Sequence, residues 1–101
     1  MAQAIEMVRF TVKPGEEEAL VAERPGMLEA LTAEYPGLVS ARLAKTGETT
    51  WLDVLVWESR GEALAAAEGA SNIPECAAWF GRFAEVLGME HADEKGETYE
   101  A

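Results

Sequence analysis

The chain holds a single histidine, His91, and a single cysteine, Cys76. His91 is therefore the one side chain whose ordinary pKa permits acid–base work near neutral pH. It stands in a short strand-like run, Met89 to Asp93, where a structural role is the competing reading. Asp53 is the second candidate for proton chemistry. It sits among Trp51, Leu55 and Trp57, and a carboxylate on an apolar face costs free energy unless it is paired or hydrated. As a pocket group it would carry a raised pKa and serve as base or orienter. As a structural group it would form an ion pair with Arg9 or Arg42 on neighbouring strands, or a bridge across a subunit interface. Trp51, Trp57 and Trp79 offer flat apolar walls that suit an aromatic ligand as well as core packing. Arg9, Tyr35 and Asn72 complete the candidate binding groups. Tyr35 and Asn72 would hydrogen-bond a ligand at a pocket mouth; otherwise the first packs beside a turn and the second caps a helix.

Other chemistries find no residues to carry them. A lone cysteine forms no internal disulfide and excludes cysteine-based zinc sites. Cys76 falls in the first turn of an expected helix, where a thiol pKa drops, but no histidine is near it in sequence, and a buried, inert thiol is expected. No glycine-rich phosphate loop, metal-spaced cluster or serine nucleophile motif occurs. No metal and no cofactor are expected. The net charge is −11, from 19 acidic and 8 basic residues. The basic residues are scattered, so nucleic acid and anionic membranes are poor partners. No leader-like segment and no membrane-length apolar run is found, which suggests a cytoplasmic protein.

These groups must be positioned by short elements. Ile5 to Val12 is β-branched and apolar, a strand ended by Lys13-Pro14-Gly15. Glu16-Glu17-Glu18 opens a helix, with Pro25-Gly26 expected to kink it or split it into Glu16–Glu23 and Pro25–Glu34. Leu38 to Ala44 is a second strand, and Trp51 to Glu58 a third and stronger one. Ser59-Arg60-Gly61-Glu62 has the spacing of a capping box, which starts a helix reaching about Gly69. A further helix is expected over Pro74–Leu87, its apolar face including Trp79, Phe83, Val86 and Leu87, before the last strand at Met89–Asp93. The polar stretch 94–101 reads as a loose tail to a single domain over 1–93.

The order strand, helix, strand, strand, helix, strand gives an α+β ferredoxin-like βαββαβ fold with one antiparallel sheet and helices on one face. The third strand is apolar on both sides: Trp51, Asp53, Leu55 and Trp57 on one, Leu52, Val54 and Val56 on the other. A strand of that kind is covered twice. Helices supply one cover, and a second copy of the sheet is the simplest source of the other, so a homodimer is expected.

The chain resembles the dimeric α/β-barrel superfamily and, within it, the antibiotic-biosynthesis-monooxygenase-like (ABM) domains. The likeness rests on Lys13-Pro14-Gly15-Glu16, Tyr35-Pro36-Gly37-Leu38, and Trp57-Glu58-Ser59 followed by Glu62-Ala63, and it spans about residues 5 to 92. It implies a sheet-paired dimer, and it includes cofactor-free oxygenases of polycyclic aromatic substrates as well as haem-degrading enzymes. Helical positions that hold histidine in many such domains are Ala65, Ala66, Ala67, Glu75 and Cys76 here, and the strand acid two positions before the family tryptophan is Leu55. Those departures remove the haem ligand. The resemblance implies an ABM-type enzyme, a cofactor-independent monooxygenase or a relative, acting on a hydrophobic aromatic small molecule. Asp53 or His91 would act as base and the tryptophans as wall. The alternative is a non-catalytic dimeric domain for ligand binding or assembly.

Overall fold

The structure, a computed structural model, describes residues 2–101. Its elements run β1 (Ala4–Val12), α1 (Glu17–Glu34), β2 (Leu38–Lys45), β3 (Thr50–Trp57), α2 (Arg60–Gly69), a 3₁₀ turn (Ala70–Asn72), α3 (Pro74–Phe80) and β4 (Phe83–Asp93). The four strands form one open antiparallel sheet in the order β2-β3-β1-β4. This is the ferredoxin-like arrangement expected from the order of elements, with three α-helices against one face.

Side-chain parity sorts the two faces. Glu6, Val8 and Phe10 of β1 point the same way as Trp51, Asp53, Leu55 and Trp57 of β3, toward the helices. Ile5 and Met7 share the open face with Leu52, Val54 and Val56, all only half-buried. The helix-side layer closes on Trp79, whose indole N–H donates to the Leu20 carbonyl at 2.7 Å. Phe10 and Phe83 stack at 3.9 Å, and Trp79 meets both edge-on.

Two expectations about helices need correction. The first helix is not split at Pro25-Gly26 but runs as one element from Glu17 to Glu34. Proline has no N–H to give to the Val21 carbonyl, one turn earlier. Val21 and Pro25 both lie on the exposed side of the helix, while Leu20, Arg24, Met27 and Leu31 hold the buried stripe. The last helix stops at Phe80 rather than Leu87, and the last strand starts at Phe83 rather than Met89. Arg82 makes the turn: its side chain engages Glu16, just before α1, and Glu23 of α1, and its carbonyl accepts from Lys13 N–H at 2.9 Å. From there β4 pairs along the length of β1, with irregularities opposite Arg9/Phe10 and Thr11/Val12. These bulges break the two-residue alternation, so Phe83, Val86 and Leu87 mimic helical spacing in the sequence.

The N-cap half of the expected capping box forms, with Ser59 Oγ accepting from Glu62 N–H at 3.2 Å, while the Glu62 carboxylate accepts from Ser59 Oγ at 3.3 Å. Asn72 caps nothing: it ends the 3₁₀ turn, and Ile73 precedes Pro74 without a side-chain cap. The substitution Pro25→Ala restores a hydrogen bond inside an otherwise regular exposed helix face. It is expected to raise the unfolding free energy by about 1–2 kcal/mol, the helix-interior proline cost less the entropy that proline removes from the unfolded chain. Urea unfolding checks this, and a midpoint at or below that of the wild type would contradict it.

Candidate functional site

Between the sheet and the helices lies a cavity of about 430 Å³. Glu6 and Val8 of β1 with Asp53, Leu55 and Trp57 of β3 make its floor; Met27 and Leu31 of α1 and Ala66, Ala67 and Ala70 make its roof. Phe80 and the β4 residues Phe83, Val86 and Met89 form the side wall. The space follows from the alanines. The face of α2 and the following turn bring only methyl groups to the sheet, where larger side chains would fill the layer. Val86 and Met89 are half-exposed, so the wall on the edge strand is also the side nearest solvent.

Two buried carboxylates stand in this apolar floor, each held differently. Asp53 Oδ1 accepts from Arg24 Nη2 at 2.7 Å, with both side chains about nine-tenths buried. The partner thus comes from α1, not from β1 or β2. Arg9 and Arg42 pair opposite Leu52 and Val54, which puts them on the open face and out of reach. The Arg24 guanidinium also lies over the Trp79 ring, 5.4 Å from its centroid, and its Nη1 is buried without a hydrogen-bond acceptor among the described residues. Burial pushes the Asp53 carboxyl up and Arg24 opposes the shift.

Glu6 has no permanent cation. Its Oε1 accepts from the Trp57 indole N–H at 3.2 Å, and its Oε2 lies 3.0 Å from His91 Nε2. Burial pushes the Glu6 carboxyl above its ordinary range; the hydrogen bonds from Trp57 and His91 pull it down, and the Asp53 charge adds to the rise. Glu6 and His91 face each other because Glu6↔His91 is a register pair of β1 and β4.

The other candidates are dispersed. Trp57 lines the cavity, whereas His91 reaches it only through Glu6. Trp79 is buried beneath the aromatic cluster and lines no part of it. Trp51 lies in a separate shallow groove, its indole N–H bonded to Glu17 at 3.1 Å beneath Lys45. Tyr35 and Asn72 share a third groove near the end of α2, where the Tyr35 ring packs so closely on Gly69 that no Cβ would fit. Arg9 is exposed on the open face. Glu6 and Arg24 do not stand out by residue type and spacing alone. Glu6 shares parity with Val8 and Phe10, the signal that would have placed it beside Asp53; Arg24 lies one turn after Leu20 on the buried stripe of α1.

Fold and cavity together define a small α+β domain with a largely apolar cavity between its sheet and its helices. The chain belongs to the antibiotic biosynthesis monooxygenase (ABM) family, whose model matches residues 4–81. Among solved structures, a proposed antibiotic biosynthesis monooxygenase from Bordetella bronchiseptica is similar, with a TM-score of 0.72 at 18% identity, over 94% of this chain and 99% of that one. A variant of SnoaB, a cofactor-independent oxygenase from Streptomyces nogalater, superposes with a TM-score of 0.63 at 18% identity, over 96% of this chain and 95% of that one. A protein of unknown function from Nitrosomonas europaea reaches 0.65 at 22% identity, over 100% and 97%. At these identities the structural likeness speaks for the fold. No curated protein matches the chain. No helix among the described residues is long and apolar enough to cross a membrane.

The Arg24–Asp53 pair is expected to be costly to break and cheap to replace. Arg24→Met leaves a buried carboxylate without its cation and should lower stability by about 3 kcal/mol, while Arg24→Met with Asp53→Leu should recover most of that loss. Urea unfolding of the two variants checks the pair; a double variant no more stable than the single would contradict it.

Proposed function

We propose that the protein is a cofactor-independent monooxygenase-type enzyme whose substrate is an uncharged, hydrophobic aromatic molecule held in the cavity. The observation that carries this reading is a cavity of about 430 Å³ with two buried carboxylates, Glu6 and Asp53, in a largely apolar wall. The volume suits a ligand of two or three fused rings. The residues lining it include Glu6, Asp53 and Glu85 but no lysine or arginine, which disfavours carboxylate or phosphate substrates. Membership of the ABM family and the likeness to a cofactor-independent oxygenase support the reaction class.

The reaction that fits is oxygenation of an activated methylene. A carboxylate takes a proton from the substrate C–H, and the electron pair stays on the ring system. The resulting carbanion is electron-rich enough to react with dioxygen directly. Overall, CH2 and O2 become C=O and H2O, so one oxygen atom enters the product and the other leaves as water. The protein supplies the base, orientation against Trp57 and exclusion of bulk water. A suitable probe is 1,8-dihydroxyanthrone, a neutral three-ring compound with an acidic methylene. The protein should speed its conversion to the anthraquinone well above autoxidation, with one O2 consumed per quinone formed, as read by absorbance and an oxygen electrode. Binding without turnover would instead favour a non-catalytic ligand-binding domain.

The open face supports a homodimer. Ile5, Met7, Leu52, Val54 and Val56 form a contiguous apolar patch at the centre of a sheet whose helices all lie on the other side. A second copy of the same face covers it by twofold symmetry. Light scattering at micromolar concentration should report about twice the 10.9 kDa chain mass. Met7→Glu with Val54→Glu, which places like charges at the centre of the patch, should return the monomer. A wild-type mass near that of one chain would refute the dimer.

A further inference from the structure

The two buried carboxylates of the cavity are not equivalent, and the difference assigns them separate tasks. We infer that Glu6 is the group that takes the substrate proton and that His91 carries this proton from Glu6 to water, while Asp53 stays a fixed anion. The inference rests on the cavity binding a neutral carbon acid, as proposed above, and it deepens that reading by naming the base and its exit route.

Geometry separates the two acids. Asp53 lies 2.7 Å from Arg24 Nη2. A guanidinium does not lose its proton in a protein, so a proton placed on Asp53 would strand a buried cation. Asp53 is thus a poor acceptor, though a good electrostatic partner for Arg24. Glu6 has no such constraint: its two partners are an indole N–H and an imidazole. When Glu6 becomes neutral no buried charge is left without a counterion. Burial raises the proton affinity of both acids, but only at Glu6 can the proton be taken up without stranding a buried guanidinium.

The order of groups from the cavity outward is Glu6, then His91. Glu6 lines the cavity, and His91 stands behind it on the edge strand, its side chain about 12% exposed. In the first step the substrate C–H bond breaks, its electron pair stays on carbon, and the proton moves to a Glu6 oxygen. In the second the proton crosses the 3.0 Å contact from Glu6 Oε2 to His91 Nε2, giving a carboxylate and an imidazolium. The imidazolium then releases a proton to water, and the pair is restored. The charged and titratable groups around the pair come from every neighbouring element. Asp53 of β3 faces Glu6, with Arg24 of α1 balancing its charge. Arg60 of α2 donates from Nη2 to the His91 carbonyl at 3.4 Å and from Nε to Asp93 at 3.1 Å. Glu85 of β4 lines the same cavity.

Deuterium exchange tests proton transfer without oxygen. The intact protein is mixed with 1,8-dihydroxyanthrone in D2O under nitrogen, and deuterium uptake at the methylene carbon is followed by mass spectrometry. The wild type should exchange it faster than buffer. Glu6→Gln, which keeps the shape and can still accept from Trp57, should slow exchange by about 100-fold. His91→Gln, which can hydrogen-bond Glu6 but cannot shuttle a proton, should slow it by about tenfold and shift its pH profile; free imidazole should restore the rate. Rescue by imidazole is a readout that a merely structural histidine would not give. Exchange no faster than buffer in the wild type, or an undiminished rate in Glu6→Gln, overturns the assignment of the base. His91→Gln at full rate, or slowed and not rescued, overturns the relay. Exchange under nitrogen with no oxygen uptake in air upholds the proton transfer and removes the oxygenase reading.

Discussion

A carboxylate cannot stand alone in an apolar layer, and the way Asp53 meets that constraint organises the helix side of the molecule. Its counterion comes from Arg24, so the ion pair ties α1 across β3 at a fixed height. The same guanidinium lies over Trp79, and the Trp79 indole returns a hydrogen bond to the Leu20 carbonyl one turn before Arg24. Helices α1 and α3 are thereby held to each other and to the sheet. Met27 and Leu31 follow Arg24 on the same stripe of α1 and form part of the cavity roof. The pair is worth little as a source of net stability, because desolvation offsets most of its attraction. Its value is positional: it holds the roof at one place above the floor.

The cavity exists because the second half of the fold brings less bulk to the sheet than the first. Helix α1 offers leucine and methionine to the sheet; α2 and the turn after it offer Ala66, Ala67 and Ala70. A protein of this size buries a modest core, and an unfilled volume forfeits contacts that a larger side chain would make. An unfilled, half-open cavity beside two desolvated acids is unfavourable for the empty domain. Such a region is what a ligand site requires, since strain and unsatisfied groups gather where binding can relieve them.

The sequence carried the fold more clearly than the site. Strand and helix order followed from β-branched runs, proline-glycine stops and the Ser59–Glu62 capping box, and the family likeness rested on turn motifs flanking those elements. It failed at β4, where bulges gave Phe83, Val86 and Leu87 a helix-like spacing; only pairing with β1 distinguishes the two forms. Asp53 was legible because its neighbours are apolar. Glu6 was not, since an acid near the start of a strand resembles a solvated end until pairing sets its parity against His91. Arg24 was hidden for a related reason: a charged residue beside Pro25-Gly26 looks like part of a break, and continuity of the helix puts it on the buried stripe. The dispersal of Trp51, Tyr35 and Asn72 could not be read from residue type, because it depends on which end of the sheet each reaches.

The edge formed by β4 has a consequence for life at high concentration. An outer strand with half-exposed Val86, Leu87 and Met89 is the kind of surface on which a neighbouring chain can add itself by backbone pairing. The two irregularities in its ladder with β1 twist and interrupt the row of free amides and carbonyls. Glu85 and Glu90 add negative charge to the same edge. The departures from strand regularity that disguised β4 as a helix thus also guard it, leaving a would-be fibril no straight template to copy.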